Sequence, residues 1–350
     1  MRIDAVRVQV RTMQRVDPQW RTSSYKASEV SGVYFAVEAG GQVGVGASAA
    51  HPRRLTIEEL TNQLNDVAAA LTHQPLEQAR RILAGRPLAG RASIAVDLAL
   101  HDLVGRLAGL PAETLWGGPV RDRINLVRMV GIKEPELLVD AVRPLYDTGV
   151  RAFKLKVGDG VERDIDRVRR VRQEFGESLT LMIDANGAYD RENALALCQG
   201  LGELDVHCVE QPLPYRDMAG MAELRAKSPV RLMADQMVES ADDVVRVAHA
   251  GGADIVSLKL TKMGSVDECV RVAHVCAATG LGVHLGGCAA PGIVDSALTR
   301  LALSTPDIDI FAEVGESSAL VDDQVLGVVY TAEYATSDGN PGLGGIPPVL

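Results

Sequence analysis

The chain has 350 residues, of which 47% are apolar and 23% are charged, so it can bury a large core. Its net charge of −10 argues against a nucleic-acid or membrane-surface partner. No apolar run reaches the ~18 residues that a membrane span needs. Five cysteines at irregular spacing predict reduced thiols in a cytoplasmic protein.

The first 50 residues predict β-strands. Residues 3–10 alternate in polarity, residues 33–37 are rich in β-formers, and Gly40-Gly41 marks a turn. The polar segment 12–31 between them predicts a long, functional or mobile loop. Helical patterns follow from Thr56 onward.

A long helix is predicted over residues 92–107. It contains His101 and Asp102, which we expect to form a packed structural pair.

From about residue 124 strand-like runs alternate with amphipathic helices. The runs lie near residues 126, 153, 182, 208, 233, 256, 283 and 309, at intervals of about 26 residues. Because each interval fits one strand-loop-helix-loop unit, the pattern predicts an α/β fold with a (βα) barrel. The Gly- and Pro-rich stretch from residue 317 to the end is predicted to leave the barrel.

Acidic side chains stand at the ends of three successive strand runs, between two lysine-bearing runs. In chain order the motifs are Lys154-Leu-Lys156, Asp184-Ala-Asn186, Glu210-Gln-Pro212, Asp235-Gln236 and Lys259-Leu-Thr-Lys262. The carboxyl ends of barrel strands converge on one face. Three carboxylates there predict an Mg²⁺ site, whereas zinc would want His or Cys ligands. The alternative is that the acids are helix N-caps in βα loops.

The lysines suggest acid–base chemistry. Lys154 and Lys156 are two residues apart on a strand and point to the same face. Burial beside a metal would lower a lysine pKa and allow the neutral amine to act as a base. Lys259 lies four strands later, across the barrel, while Lys262 is predicted at the rim. The alternative is a solvated, lysine-rich strand end.

A carboxylate substrate that chelates Mg²⁺ has an acidified α-proton, and its enolate is an ene-diolate that the metal stabilises. One lysine would remove the proton. A second lysine on the other face would return it, which gives racemisation or epimerisation. A leaving group on the β-carbon would give elimination instead.

These motifs together resemble the enolase superfamily, specifically its muconate lactonizing enzyme subgroup. The resemblance implies that Lys156 is the base, that Lys259 is the base on the opposite face, and that Lys154 belongs to the same lysine motif. It also implies Mg²⁺ ligands, with Mn²⁺ as an alternative ion, and neighbouring side chains that support them. The implied ligands are Asp184, Glu210 and Asp235, and the supporting side chains are Asn186 and Gln236. The run Asn340-Pro-Gly-Leu-Gly344 is similar to the family's terminal signature.

The resemblance also implies a barrel of the modified TIM type with an α+β capping domain. The implied boundaries are 1–120 for the cap, 121–318 for the barrel and 319–350 for a segment that returns to the cap. A mobile lid loop near 12–31 would close over the site. Its candidate substrate-binding residues are Trp20, Thr22, Ser23 and Tyr25. A homo-oligomer is expected.

Two departures from the family pattern bear on the substrate. Asp235-Gln236 replaces a common Asp-Glu, which should leave the metal ligand intact. Dipeptide epimerases of the subgroup carry Asp-x-Asp at the eighth strand end, and residues 310–316 lack it. A dipeptide substrate is therefore not expected. Glu313 could meet a cationic group or form a structural salt bridge, and His284 could lie behind the ligands.

The sequence leaves several reactions open on a small carboxylate substrate. Racemisation or epimerisation of an amino acid derivative is favoured because both lysines are present. Dehydration of a β-hydroxy carboxylate such as a hydroxyproline, and muconate-type cycloisomerisation, keep the same lysines. A class I aldolase would not need three metal-spaced acids. A non-catalytic binding protein should have lost a ligand or a base.

Overall fold

The computed structural model describes residues 1–51, 53–308, 311–321, 323 and 327–345. Its N-terminal part is a three-stranded antiparallel sheet of β1 (Ala5–Gln14), β2 (Glu29–Ala39) and β3 (Gln42–Ala49). β2 and β3 meet at Gly40 and Gly41, whose φ angles of +57° and +73° suit glycine. The strands predicted within the first 50 residues are confirmed.

The described residues that follow form four α-helices, namely α1 (Ile57–Leu71), α2 (Ala79–Ala84), α3 (Gly90–Ala108) and α4 (Ala112–Leu115). A capping box between Thr56 and Glu59 begins α1, because each side chain satisfies a backbone N–H of the other. α1 and α3 bury apolar side chains against one face of the sheet. The N-terminal part is thus a layer of sheet and helices with its own core.

The contact between β3 and α3 is very close at two glycines, Gly44 and Gly46. A β-carbon at Gly46 would overlap the carbonyl oxygen of Ala95 and lie 2.6 Å from the amide nitrogen of Ala99. Both are backbone atoms of α3, so a side-chain rotation cannot relieve the overlap. The absence of a side chain on β3 therefore sets how closely the helix packs.

We expect Gly46→Ala to lower the free energy of unfolding by about 3 kcal/mol, because the helix must move away from the sheet. The matched control is Gly85→Ala, since a β-carbon at Gly85 has no neighbour within 4 Å and its φ is −87°. Its cost should stay within about 0.5 kcal/mol. Urea unfolding followed by circular dichroism compares the two, and equal midpoints would contradict the close-packing argument.

The second part of the chain alternates strands and helices. Its strands are β4 (Ile124–Leu126), β5 (Arg128–Val130), β6 (Ala152–Lys156), β7 (Thr180–Asp184), β8 (Val206–Glu210), β9 (Leu232–Ala234), β10 (Ile255–Leu258), β11 (Gly282–Leu285) and β12 (Phe311–Ala312). Its helices are α5 (Pro135–Asp147), α6 (Val161–Phe175), α7 (Arg191–Leu201), α8 (Met218–Lys227), α9 (Ala241–Ala250), α10 (Leu260–Met263), α11 (Val266–Thr279) and α12 (Gly292–Ser304). A hairpin of β13 (Val328–Tyr330) and β14 (Tyr334–Ser337) ends the sheet.

The strands close into a parallel barrel. β5 pairs with β6, and β4 pairs with β12, while β4 and β5 are separated by Val127 alone. The run predicted near residue 126 is therefore split into two short strands, and each of them pairs with one neighbouring barrel strand. The run predicted near residue 309 falls partly outside the described residues, and the strand there is β12. β14 adds an antiparallel strand to β4. The predicted barrel with an α+β cap is confirmed.

The barrel interior is apolar at one end and charged at the other. Val127, Ala152, Met182, Cys208, Met233 and Ile255 form one buried cluster inside the barrel. Two residues further along their strands come Lys154, Asp184, Glu210 and Asp235. Because side chains alternate along a strand, residues two apart share a face. The apolar cluster therefore lies beneath a layer of inward-facing charges at the carboxyl ends of the strands.

The polar segment predicted over 12–31 is shorter in the structure. Residues 12–14 and 29–31 pair with each other as the ends of β1 and β2, so the irregular part is 15–28, which we call the connecting segment. It bonds to loops that follow several barrel strands, for example through Ile132 N to Arg21 O (2.9 Å), Ser23 Oγ to Ala185 O (2.9 Å) and Val16 N to Ala319 O (2.9 Å). The segment thus covers the charged end of the barrel. Its mobility stays a prediction.

His101 and Asp102 do not form the pair that the sequence predicted. Adjacent residues on a helix point in different directions. His101 accepts a hydrogen bond from Trp116 Nε1 (3.0 Å), whereas Asp102 accepts from the backbone N–H groups of Val45 (2.8 Å) and Leu343 (2.6 Å). Asp102 therefore ties α3 to β3 and to the C-terminal residues. The predicted domain boundaries stay predictions. Within the described residues, no helix is long and apolar enough to cross a membrane.

Candidate active site

Three carboxylates lie together at the carboxyl ends of adjacent parallel strands. Asp184 is the last residue of β7 and stands opposite Glu210, the last residue of β8, in the strand register. Asp235 follows β9 by one residue. All three are buried, with at most 2% exposure. The structure therefore brings together the three residues predicted as metal ligands.

The backbone turns sharply just after two of these carboxylates. Asn186 has a φ of +49° and Gln211 a φ of +38°, which is uncommon for residues other than glycine. The turns are held by hydrogen bonds from Asn186 N to Asp184 Oδ1 (2.9 Å) and from Asp235 N to Gln211 Oε1 (3.0 Å). Such strained positions persist where the surroundings fix them, and they cluster at functional sites. Gln211 was not among the predicted site residues.

Lys154 and Lys156 point to the same face of β6, as predicted from their spacing. The Lys154 ammonium is 2.7 Å from Glu210 Oε2 and 3.4 Å from Asp184 Oδ2, and it also contacts Glu313 Oε1. The Lys156 ammonium is 2.5 Å from Asp184 Oδ2. Lys154 is fully buried and held by three carboxylates, whereas Lys156 has one ion-pair partner among the described residues.

Lys259 and Lys262 both reach Asp235. Lys259 Nζ is 2.8 Å from Asp235 Oδ2 and 3.5 Å from Glu210 Oε1. Lys262 is predicted at the rim, but its side chain is only 9% exposed and its Nζ donates to Asp235 Oδ1 (2.8 Å) and Ser257 O (3.1 Å). The one-turn helix α10 begins directly after Lys259 and folds Lys262 back toward the strand ends. The sequence spacing alone does not show that turn.

Glu313 lies one residue past β12 and is fully buried. Besides Lys154, its carboxylate contacts His284 Nε2 (2.8 Å) and accepts from Gly287 N (2.9 Å). Of the two predicted possibilities, the structure shows the salt bridge. His284 lies in β11, behind the lysine rather than at the strand end. Glu313 and His284 therefore fix the position of Lys154 from the far side of the barrel.

Burial and ion pairing oppose each other in this cluster. Burial lowers the pKa of Lys154, but Glu210, Glu313 and Asp184 outweigh it and raise that pKa well above its ordinary value. Burial likewise lowers the pKa of Lys259, while Asp235 and Glu210 raise it further. The expected lowering of a lysine pKa is therefore not seen at these two residues, because the carboxylates surround them.

The pKa values of the site carboxylates shift in different directions. Burial raises the pKa of Asp235, yet Lys259 and Lys262 bring it well below its usual range. The pKa of Glu210 is raised, first by burial and then by Asp184. Its Oε1 atom is buried and, among the described residues, has no hydrogen-bond partner. Of the three carboxylates, Glu210 is the one whose pKa is raised, although Lys154 and Lys259 both contact it.

The donor set fits a hard divalent cation. Carboxylate oxygens are the ligands that Mg²⁺ prefers. Glu210 Oε1 has no hydrogen-bond partner among the described residues and lies 3.5 Å from Lys259 Nζ. Buried side-chain oxygens without a hydrogen-bond partner in the described structure also occur at Asn186 and Gln236, beside the outer two carboxylates. Within the described part of the chain, no set of three such acidic, His or Cys groups is already arranged around one point. Lys154 and Lys259 lie between the carboxylates and set their present spacing.

The predicted substrate-binding residues of the connecting segment lie above this cluster, and most of their polar groups are engaged. Thr22 Oγ1 accepts from Ser24 N (3.1 Å) and Tyr25 N (3.2 Å), which shapes the turn. Ser23 holds the carbonyl after Asp184. The rings of Trp20 and Tyr25 are 5.7 Å apart, and Tyr25 also packs edge-on against His51 at 5.3 Å. Substrate contacts of these four residues stay predictions.

The sequence matches two family models that together cover most of the chain. Residues 2–117 match the mandelate racemase/muconate lactonizing enzyme N-terminal domain, and residues 137–345 match the enolase C-terminal domain-like model. With the capped barrel and its strand-end carboxylates and lysines, this places the chain in the enolase superfamily of enzymes. Within that superfamily, the chain belongs to the mandelate racemase/muconate lactonizing enzyme family, in the muconate lactonizing enzyme subgroup.

Curated relatives carry several activities. A hydrophobic dipeptide epimerase of Enterococcus faecalis is 31% identical over 56% of this chain and 55% of its own length. An L-Ala-D/L-Glu epimerase of Clostridium acetobutylicum is 30% identical over 72% of this chain and 71% of its own. The match to the Enterococcus faecalis epimerase thus spans only about half of that protein's length. Others are named muconate cycloisomerase 1, cis-3-hydroxy-L-proline dehydratase and N-succinyl-L-Arg/Lys racemase.

Solved structures show the same fold. The muconate lactonizing enzyme of Pseudomonas fluorescens, complexed with muconolactone, superposes with a TM-score of 0.91 at 26% identity, covering 98% of this chain and 96% of that one. The dipeptide epimerase of Enterococcus faecalis, complexed with Mg and the dipeptide L-Leu-L-Tyr, has a TM-score of 0.90 at 24% identity, covering 98% and 99%.

Proposed function

We propose that the protein catalyses Mg²⁺-dependent proton transfer at the α-carbon of a small carboxylate, with racemisation or epimerisation of an amino acid derivative as the favoured reaction. The observation that carries this proposal is the pair Lys156 and Lys259. Lys156 ends β6 and Lys259 directly follows β10, four strands further around the barrel, and both contact the same carboxylate cluster. Two amines on opposite sides of one substrate can remove and return a proton on different faces.

In this proposal Lys156 is the base on one face. Its ammonium has a single ion-pair partner in the described structure and the side chain retains some exposure, at 6%. Lys154 is fully buried and forms ion pairs with three carboxylates, so it cannot approach a ligand unless those ion pairs break. We therefore assign proton transfer to Lys156 and Lys259, and we assign to Lys154 the task of holding positive charge beside Glu210.

Asp184, Glu210 and Asp235 are the residues that would hold the metal ion. Bound there, Mg²⁺ would supply positive charge to the substrate carboxylate and so acidify the α-proton. The protein contributes the remaining conditions. Asn186 and Gln211 fix the carboxylates through their backbone turns, and the connecting segment shields the cluster from water, which strengthens the electrostatic interactions inside.

The names of the relatives support the superfamily chemistry but not one reaction. Epimerisation, dehydration and cycloisomerisation all begin from an activated carboxylate, and all three keep both lysines. A dipeptide substrate is disfavoured for two reasons. The chain lacks the Asp-x-Asp motif after β12 that would hold the ammonium group of a dipeptide, and the carboxylate of Glu313 there already pairs with Lys154.

The deciding experiment is proton NMR in D₂O on a pooled library of amino acids, N-acyl amino acids, proline derivatives and hydroxyprolines. With Mg²⁺ we expect one α-proton signal to disappear without a new product, which identifies a racemase or epimerase and its substrate. A new keto or imine product would show the dehydratase instead. Exchange that persists unchanged in excess EDTA would overturn the metal-dependent proposal.

A cytoplasmic location and a homo-oligomeric assembly remain part of the proposal. All five cysteines are free, and four of them are buried. Free thiols are typical of proteins that stay in a reducing compartment.

A further inference from the structure

Two of the three site carboxylates have one oxygen held by a donor other than the proposed proton-transfer lysines. Asp184 Oδ1 accepts from the backbone N–H of Asn186 at 2.9 Å. Glu210 Oε2 accepts from Lys154 Nζ at 2.7 Å, and Lys154 is fully buried. The second oxygens, Asp184 Oδ2 and Glu210 Oε1, are therefore the ones that these two carboxylates can offer to a metal ion.

The third carboxylate, Asp235, shows the same division through Lys262. Lys262 Nζ donates to Asp235 Oδ1 at 2.8 Å, whereas Lys259 Nζ donates to the other oxygen, Oδ2, at 2.8 Å. The proposed proton transfer uses Lys259 but gives no task to Lys262. An amine with no part in the reaction thus occupies one of the two oxygens of a proposed metal ligand.

Lys262 is tied to the backbone, whereas Lys259 is not. An ammonium group has three N–H donors. Those of Lys262 meet three acceptors, namely Asp235 Oδ1, Asp235 O at 2.7 Å and Ser257 O at 3.1 Å. Among the described residues, Lys259 Nζ contacts only carboxylates. Two backbone carbonyls therefore keep the Lys262 amine on Asp235 Oδ1.

The capping part of the chain fixes the turn that carries Lys262. α10 packs against the first turn of α3, where a β-carbon at Gly90 would lie 2.7 Å from the carbonyl oxygen of Lys262. Gly264, which ends α10 with a φ of +78°, would place a β-carbon 3.2 Å from the Gly90 α-carbon. This close backbone contact fixes α10, and with it the position from which Lys262 reaches Asp235.

The number of oxygens that a carboxylate can offer separates two common hard cations. Mg²⁺ demands a nearly ideal octahedral set of ligands, whereas Ca²⁺ takes about 6–8 oxygens and often binds both oxygens of one carboxylate. A carboxylate with one oxygen already held by a fixed donor can offer only the other. A site built from such carboxylates therefore suits Mg²⁺ better than Ca²⁺.

We propose that Lys262 determines the metal specificity of the site: by occupying Asp235 Oδ1 it restricts Asp235 to one metal-binding oxygen and favours Mg²⁺ over Ca²⁺. Lys262 acts through Asp235 and is a positioning residue, not a catalytic one. The inference rests on the proposed function, because it takes Asp235 as a ligand of the metal ion. It adds to that function a property that proton transfer itself does not require.

The charge of Lys262 has a separate effect that the test must remove. Loss of an ammonium group beside a cation site should raise the affinity for any cation. Mg²⁺ and Ca²⁺ carry the same charge, so this electrostatic effect acts on both alike. The ratio of the two affinities cancels it and reports on the number of oxygens that Asp235 offers.

The test measures this ratio for two substitutions that each remove one lysine from the same carboxylate. Mg²⁺ or Ca²⁺ displaces Mn²⁺ from the protein, and electron paramagnetic resonance records the released Mn²⁺. We expect Lys262→Met, which frees Oδ1, to lower the preference for Mg²⁺ about tenfold, because supporting side chains change metal affinity by about 10–100-fold. Lys259→Met is the matched control, since it removes the same charge from Oδ2 and should leave the ratio unchanged. Lys262→Arg keeps a charged donor and should retain most of the preference.

The outcomes separate this inference from the proposed function. An unchanged ratio in folded Lys262→Met, as judged by circular dichroism, or an equal fall in Lys259→Met would overturn the role of Lys262. A crystal structure of the unchanged protein with Ca²⁺ needs no variant: one Asp235 oxygen on the ion supports the inference, and two overturn it. Mg²⁺-dependent α-proton exchange with an unchanged ratio would remove only the role of Lys262. Absence of any metal binding would remove the proposed function as well.

Discussion

Lys156→Met is expected to abolish α-proton exchange on one face of the substrate and to leave exchange on the other face to Lys259. The change removes the amine but keeps a side chain of similar length. A positioned general base contributes about 10²–10⁴-fold to the rate, so we expect exchange of one enantiomer to fall by about 10²–10⁴-fold. Lys259→Met should have the mirror effect on the other enantiomer.

The measurement is solvent deuterium incorporation into each enantiomer of the substrate that the library identifies, followed by proton NMR. Lys227→Met is the control, because Lys227 is an exposed lysine of α8 that pairs only on the surface with Glu223. Its rate should match that of the unchanged protein. If Lys156→Met slowed both enantiomers equally while Lys259→Met slowed neither, one lysine would serve both faces and the two-base assignment would be wrong.

Arg300→Met is expected to lower the free energy of unfolding by about 3–5 kcal/mol, because it leaves the buried carboxylate of Glu113 and the partly buried one of Asp338 without their counter-charge. Arg300 lies in α12 and is fully buried. Its guanidinium contacts Glu113 of α4, and it bonds to Asp338 Oδ1 at 2.7 Å and to Ser337 Oγ at 2.6 Å. One side chain thus links the barrel, a cap helix and the C-terminal residues.

The matched control for this change is Arg191→Met. Arg191 also contacts two carboxylates, those of Asp217 at 2.5 Å and Glu223 at 3.3 Å, but its side chain is 52% exposed. Exposed ion pairs contribute about 0–1 kcal/mol, so its loss should be small. Chemical denaturation followed by circular dichroism and by tryptophan fluorescence compares the two variants. A similar cost for both would show that burial does not set the contribution of Arg300.

The sequence predicts the barrel well because its signals are local and repeated. Each of the runs ending at Asp184 and Glu210 combines β-formers with a polar residue at the strand end, and the spacing is nearly constant. The split of the first strand around Val127 leaves no such signal, because it arises only when the barrel closes on both neighbours. The ends of the connecting segment were also misplaced, since polar residues 12–14 and 29–31 pair across the antiparallel sheet.

The candidate active site could be predicted in part, because its motifs are also local and regularly spaced. The motif spacing indicates which acids and lysines meet, and the structure brings them together. The spacing does not indicate how a turn redirects a side chain. Lys262 returns to Asp235 through the short helix α10, and Gln211 holds the amide of Asp235 from a left-handed backbone position.

The ion pairs at the mouth of the barrel connect seven consecutive strands into one network. From His284 in β11 the contacts pass through Glu313 to Lys154 in β6, then through Asp184 and Glu210, and through Lys259 to Asp235 after β9. A single charge change in it removes one partner from at least one other buried ion. Because a buried ion that loses a partner is destabilised, we expect charge substitutions in this layer to be costly. Single substitutions in the connecting segment leave this network intact, because none of its ion-pairing residues lies within 15–28.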